Sequence, residues 1–103
     1  MRMTTKDDDQ SMNLLLDALC SLNTRDEMLL LLCDLLTTRE AQDLAQRLAV
    51  AKLLDEGLSY IEVSRQTGAS STTVSRVSKC LNGHEGGYRL AFDRLRSQGI
   101  DSK

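Results

Sequence analysis

Proline and tryptophan are both absent from this chain of 103 residues, and other aromatic residues are scarce, with one phenylalanine and two tyrosines. Without proline, no residue in the composition opposes a nearly all-helical fold. Without an array of aromatic rings there is no platform for stacking unpaired bases, which counts against a binder of single-stranded nucleic acid. The core has to come from Leu, Ala, Val and Met instead. Cysteines number three; odd and widely spaced, they build no disulfide framework and fit a reducing compartment. Long apolar runs are missing too. The longest, Met28–Cys33, is far too short to span a bilayer. The start, Met1-Arg-Met-Thr-Thr-Lys-Asp-Asp-Asp9, has no apolar segment of the kind a secretory signal needs. These absences predict a soluble, cytoplasmic protein of a single domain.

Chemistry is missing in the same way. There is no Gly-rich phosphate loop, no Ser/His/Asp set and no pair of carboxylates in an apolar setting, so no enzyme is expected. Cys80 and His84 stand at i and i+4, but a structural zinc site wants four ligands. Cys20 and Cys33 do not supply a second pair, and Gly83 interrupts the helix between the first two. No metal and no cofactor are expected.

What is present is one informative stretch, Gly57 to Leu81. Gly57 can close a helix in the left-handed conformation. Ser59 stands three residues before Glu62, a capping box opening a short helix over about Tyr60 to Gln66. Thr67-Gly68-Ala69 then turns the chain, and Ser70 or Ser71 caps a second helix reaching about Leu81. Two helices joined by a short Gly-containing turn make a helix-turn-helix, whose second helix commonly enters the DNA major groove. Val74, Val77 and Leu81 form its inward stripe. Thr72, Ser75 and Lys79 fall opposite, with Ser71 at the leading end. Hydroxyls and threonine methyls suit base edges, and Arg76, Lys79 and Arg65 supply charge for phosphates. With the caps included, the candidate DNA-binding residues are Ser59, Arg65, Ser70, Ser71, Thr72, Ser75, Arg76 and Lys79. A solvated helix with a small polar face is the plainer alternative.

The net charge of −2 and pI near 5.3 exclude a generally basic nucleic-acid coat. The distribution is uneven, however. Residues 1–36 hold three bases against seven acids, whereas residues 60–98 hold six bases against three acids. A polyanion would meet the second half.

Along the rest of the chain, residues 1–10 read as a polar, disordered tail, and 11–99 as the folded domain. Ser11 caps a predicted helix over Met12 to Leu22, with Met12, Leu15, Leu16, Leu19 and Leu22 along one side. Thr24 and Glu27 box the next, Arg25 to Leu36, whose Met28–Cys33 core is apolar all round. Such a helix has to be buried on all sides, and a chain this short has few elements to surround it. A second copy of the chain resolves this, as against a monomeric bundle with Leu30 or Leu31 partly exposed. Thr37 and Glu40 box the longest helix, to Glu56, with Ala41, Leu44, Ala45, Leu48, Ala51 and Leu54 inward. Gly83 is the expected terminator of the fifth helix. Tyr88, Ala91, Phe92 and Leu95 mark a sixth, ending near Gly99.

The run from Leu35 to Leu54, with Thr37-Thr-Arg-Glu-Ala at its start, together with Gly57-Leu-Ser-Tyr60, Thr67-Gly-Ala-Ser-Ser-Thr-Thr-Val-Ser-Arg76 and Leu81-Asn-Gly-His-Glu-Gly-Gly-Tyr88, resembles the Trp repressor superfamily. More narrowly it resembles the TrpR-related YerC/YecD branch. The resemblance covers about residues 12–96. It implies an all-α, six-helix, intertwined homodimer acting as a bacterial transcription regulator, most simply a repressor, on double-stranded DNA. In tryptophan-binding members the ligand lies between the third helix and the reading helix, flanked by two arginines. Here Arg47 and Arg76 match those arginines and Thr37 a pocket threonine. Val77 stands where those members have glycine, and Cys80 where they have a serine. These departures fall where a tryptophan would need room and a hydroxyl, so the resemblance carries DNA binding further than control by L-tryptophan, and the effector stays open. The alternative function is a helical interaction module that uses the helix-turn-helix as a protein-docking surface.

Overall fold

Helix-favouring sequence without proline gives helices throughout the described part of the chain, residues 6–99 of a computed structural model. They are α1 (Lys6–Cys20), α2 (Arg25–Leu35), α3 (Thr38–Asp55), α4 (Tyr60–Thr67), α5 (Ser71–Leu81) and α6 (Gly87–Ser97), with no strand among the described residues. The expected all-α, six-helix architecture is what the chain adopts. Two compact units divide it, the first ending at Ala41 and the second beginning at Gln42.

In the first unit, α1 starts at Lys6 rather than Met12, so Ser11 lies inside the helix and does not cap it. Acidic residues are favoured in the leading turn of a helix, and the sequence supplies three of them at 7–9. Their polarity imitates a tail. Residues 1–5 of the expected tail lie outside the described residues. α1 closes at Cys20, two residues earlier than expected, where the Ser21 N–H turns back to Asp17 O at 3.1 Å. Thr24 Oγ1 accepts the Glu27 N–H at 3.1 Å, while the Glu27 carboxylate reaches past the cap to the Asn23 N–H at 2.8 Å. At Thr37 the box is complete: Thr37 Oγ1 accepts the Glu40 N–H at 3.1 Å, and Glu40 Oε1 accepts the Thr37 N–H at 2.9 Å. α2 buries none of its residues within the chain; Leu29 is 60% and Leu30 69% exposed.

The second unit has a core of small branched side chains. Val50 and Ala51 from α3, Val63 from α4, Ala69 from the turn, Val74, Val77 and Leu81 from α5 and Phe92 from α6 are buried together. Leu53, Leu54, Leu58, Tyr88 and Leu95 pack around them. Tyr88 and Phe92 stack with ring centroids 6.1 Å apart. Asp55, at the end of α3, accepts from Arg89 at 2.8 Å and Arg96 at 3.2 Å, which ties α6 down. The expected inward stripe of α3 holds only toward its C-terminal end, and Ala41 at its start is partly buried. Ala51 and Leu54 face the core, but Leu44, Ala45 and Leu48 are exposed and Val50 is buried instead. On α6, Ala91 is exposed while its three expected companions pack inward. Gly83 is also not a left-handed terminator: Asn82 closes α5, and the positive φ falls at Gly86, where α6 begins.

Candidate nucleic-acid interface

The site begins with how α4 is started and stopped. Ser59 Oγ accepts the Glu62 N–H at 3.2 Å, as a cap should. The return half of the box is not made, because the Glu62 carboxylate takes Arg65 Nε at 3.0 Å and Gln66 Nε2 at 2.7 Å instead. Those hydrogen bonds, Arg65's first and Gln66's second, hold Glu62 at about 2, well below the ordinary carboxylate range. The same pairing pushes the Arg65 guanidinium up. Arg65 is exposed yet occupied.

The turn is fully wired. Gly68 sits at φ 75°, which glycine adopts without a side-chain penalty, and its N–H closes onto Ser64 O. Ser64 Oγ donates to Ala69 O at 2.7 Å, and Thr67 Oγ1 donates to Val63 O at 2.8 Å while accepting the Ala69 N–H at 3.2 Å. Gln46 of α3 donates to Thr67 O at 3.3 Å. Of the two candidate caps it is Ser70 that starts α5, accepting the Thr73 N–H at 3.1 Å. Ser71 is the first helical residue.

α5 then divides cleanly. Val74, Val77, Ser78 and Leu81 are buried; Ser71, Thr72, Ser75, Arg76, Lys79 and Cys80 are exposed. No ion pair among the described residues engages Arg76 or Lys79. The outward face is therefore hydroxyls, one threonine methyl, the Cys80 thiol and two cations that no ion pair engages. Its chemistry fits base edges and phosphates together.

The residues matched to an effector pocket fall in both units. Thr37 caps α3 in the first unit. In the second unit, Arg47 lines an open cleft of about 220 Å³ together with Asp43, Gln46 and Thr73. Those four residues make the lining mainly polar, whereas pockets for aromatic ligands are mainly apolar. Val77 is inside the core at 3% exposure, and Arg76 and Cys80 are exposed. The Tyr88 phenol is pushed up, first by burial and then by Cys80, with Arg47 pulling the other way. Cys80 ends up exposed on α5 and His84 beyond that helix's end, and no group of three or more His, Cys, Asp or Glu among the described residues is able to hold a metal ion. No helix among the described residues is long and apolar enough to cross a membrane.

Gln46, Thr73 and Ser78 also belong to this region, through the turn, the cleft and the inner face of α5. Ser78 had a signal: it lies four residues after Val74 and three before Leu81, on the inward stripe.

Comparison with known proteins bears on this geometry. The model of the family described as Trp repressor protein matches residues 10–96. The uncharacterised YerC protein of Bacillus subtilis strain 168 is 41% identical over 88 residues, 85% of each chain. A crystal structure of a TrpR-like protein from Eubacterium eligens superposes with a TM-score of 0.82 at 38% identity, covering 91% of this chain and 94% of that one. A Staphylococcus aureus structure described as a candidate Trp repressor gives 0.79 at 30% identity, covering 97% and 100%.

Proposed function

The chain belongs to the Trp repressor protein family, and on that premise we propose that it is a homodimeric, sequence-specific binder of double-stranded DNA that represses transcription without needing L-tryptophan. The observation that carries the reading is the division of α5: an apolar inner face locked into the core, and an outer face of Ser71, Thr72, Ser75, Arg76 and Lys79 open to a ligand. A helix held on one side by Val74, Val77 and Leu81 is rigid enough to present hydroxyls in register to base edges. Exposed leucines on α1, α2 and α3, among them Leu14, Leu29, Leu30, Leu44 and Leu48, support a second copy as their cover. Burial of Val77 and the polar lining of the Arg47 cleft support independence from tryptophan.

Selection of bound duplexes from a random pool, followed by gel shifts, tests the reading. Thr72→Ala and Ser75→Ala should each change the preferred sequence, at a cost of about 1–3 kcal/mol on a matched site. Lys79→Ala should weaken all sequences alike and lower the salt slope by about one. A chain that retains no duplex from the pool is not a DNA binder, and its helix-turn-helix would then be read as a protein-docking surface.

A further inference from the structure

The reading helix carries one buried polar side chain among the described residues, and its partner lies on another helix. Ser78 is 8% exposed, on the same inner face as Val74, Val77 and Leu81. Tyr60, the first residue of α4, donates its phenol O–H to Ser78 Oγ at 2.6 Å. Asn82 Nδ2 donates to Ser78 O at 3.0 Å and lies 3.4 Å from Ser78 Oγ. Asn82 Oδ1 accepts from Arg89 at 2.9 Å, and Arg89 is itself held by Asp55. A directional polar chain therefore runs from the start of α4, through the end of α5, to α6 and the end of α3.

We propose that Tyr60 and Ser78 are positioning residues for DNA reading: their hydrogen bond sets the rotation of α5 about its own axis, and with it which side chains meet base edges. This rests on the DNA-binding reading above. The valines and leucine beneath α5 decide which face turns inward. The burial they gain changes little over a small rotation, so it sets the helix's rotation less sharply than a directional bond does. A hydrogen bond is more sensitive, since it weakens steeply off its axis. Rotation by about 10° moves a side-chain tip carried ~6 Å from the helix axis by ~1 Å. That displacement separates a made contact to a base edge from a lost one. Attraction to phosphates is long-ranged and tolerates it. Loss of the Tyr60–Ser78 bond should thus fall on discrimination between sequences and leave general affinity alone. Ser78 decides the matter, because a residue so deeply buried touches no DNA. Any effect of its hydroxyl on discrimination has to pass through the orientation of α5.

The experiment uses the full chain, a duplex selected from a random pool and a scrambled duplex of equal length and composition, at fixed salt. Tyr60→Phe and Ser78→Ala should each lower affinity for the selected duplex by about two- to tenfold, the factor that one neutral hydrogen bond supplies. Affinity for the scrambled duplex should stay level. The double variant should be no worse than either single one, since both remove the same bond. A lowered melting midpoint with an unchanged ratio of the two affinities would overturn the proposal, leaving the bond purely structural. Equal loss on both duplexes from Tyr60→Phe would overturn it as well, marking the phenol as a phosphate contact. If Ser78→Ala does not fold, the affinity ratio of Tyr60→Phe, which removes one oxygen from a half-exposed residue, decides alone. Failure of the unaltered chain to bind any duplex sinks the DNA-binding reading and the proposal with it, whereas unaltered discrimination in both variants sinks only the positioning role.

Discussion

Arg65 is the cation of α4, and Glu62 keeps it occupied. The pair is exposed, so solvent and salt screen it and its part in stability is small. Its signature is in titration. A carboxyl whose pKa is lowered on folding contributes stability above its ordinary value, and the contribution is lost as pH falls through the folded value. For Glu62 that window runs from 4.5 down to about 2. Carboxyl-carbon NMR should accordingly place the Glu62 midpoint near 2, and Arg65→Ala, which removes the first cause of the shift, should raise it toward 4.5. A midpoint in the ordinary range for the unaltered chain would mean that the pair does not form. The same pairing bears on nucleic acid, because a phosphate has to compete with Glu62 for the guanidinium. Glu62→Gln removes that competitor and a repelling charge. Binding to unselected duplex should tighten, with a salt slope steeper by about one; unchanged affinity would show that Arg65 does not face the backbone.

At the scale of elements, α5 is the part most legible in the sequence, and the reason is that its signals are local. A hydroxyl cap at Ser70 and apolar residues at i, i+3 and i+7 lie within one short segment, and the helix is built as they indicate. Errors arose where two local signals competed or where a partner was distant. The capping-box spacing points Glu62 back to Ser59, but a guanidinium three residues on is a stronger partner than a neutral N–H. Gly83 looked like a helix terminator, yet the Asn82 N–H closes onto Ser78 O before the glycine is reached. The Tyr60–Ser78 bond spans 18 residues and leaves no periodic trace. Val77 faces inward, as its place on the stripe implies, and its burial has a measurable consequence. Val77→Gly forfeits about 1.5–3 kcal/mol of apolar burial and adds about 1 kcal/mol for glycine inside a helix. Urea unfolding should report a loss of stability of about that size. Calorimetry of the unaltered chain with L-tryptophan should show no binding, because the valine already fills the space; saturation at micromolar ligand, or DNA binding that requires it, would refute independence from tryptophan.

For the whole molecule the question is what covers the leucines. α2 buries no residue within its own chain, although five of its eleven residues are leucines. Leu44 and Leu48 on α3 and Leu90 on α6 are also exposed. The sequence made this legible in part: the all-round apolar pattern of Met28–Cys33 announced a need for cover, but a pattern cannot say which chain supplies it. A homodimer meets the need, and twofold symmetry would place two copies of α5 about 34 Å apart for half-sites one helical turn from each other. Selected duplexes should then be palindromic. Folding and association should be one step, so the melting midpoint should rise with protein concentration. Leu30→Lys separates the alternatives, because Leu30 is 69% exposed in the lone chain. In a monomer the change lies on the surface and should move stability by no more than about 0.5 kcal/mol. In a dimer it places an ammonium in an apolar interface with nothing to pair it. Sedimentation should then report a monomeric mass for the variant, or the variant should not fold. A midpoint that ignores concentration, together with a Leu30→Lys chain indistinguishable from its parent in mass and stability, would leave the leucines uncovered and the dimer without support.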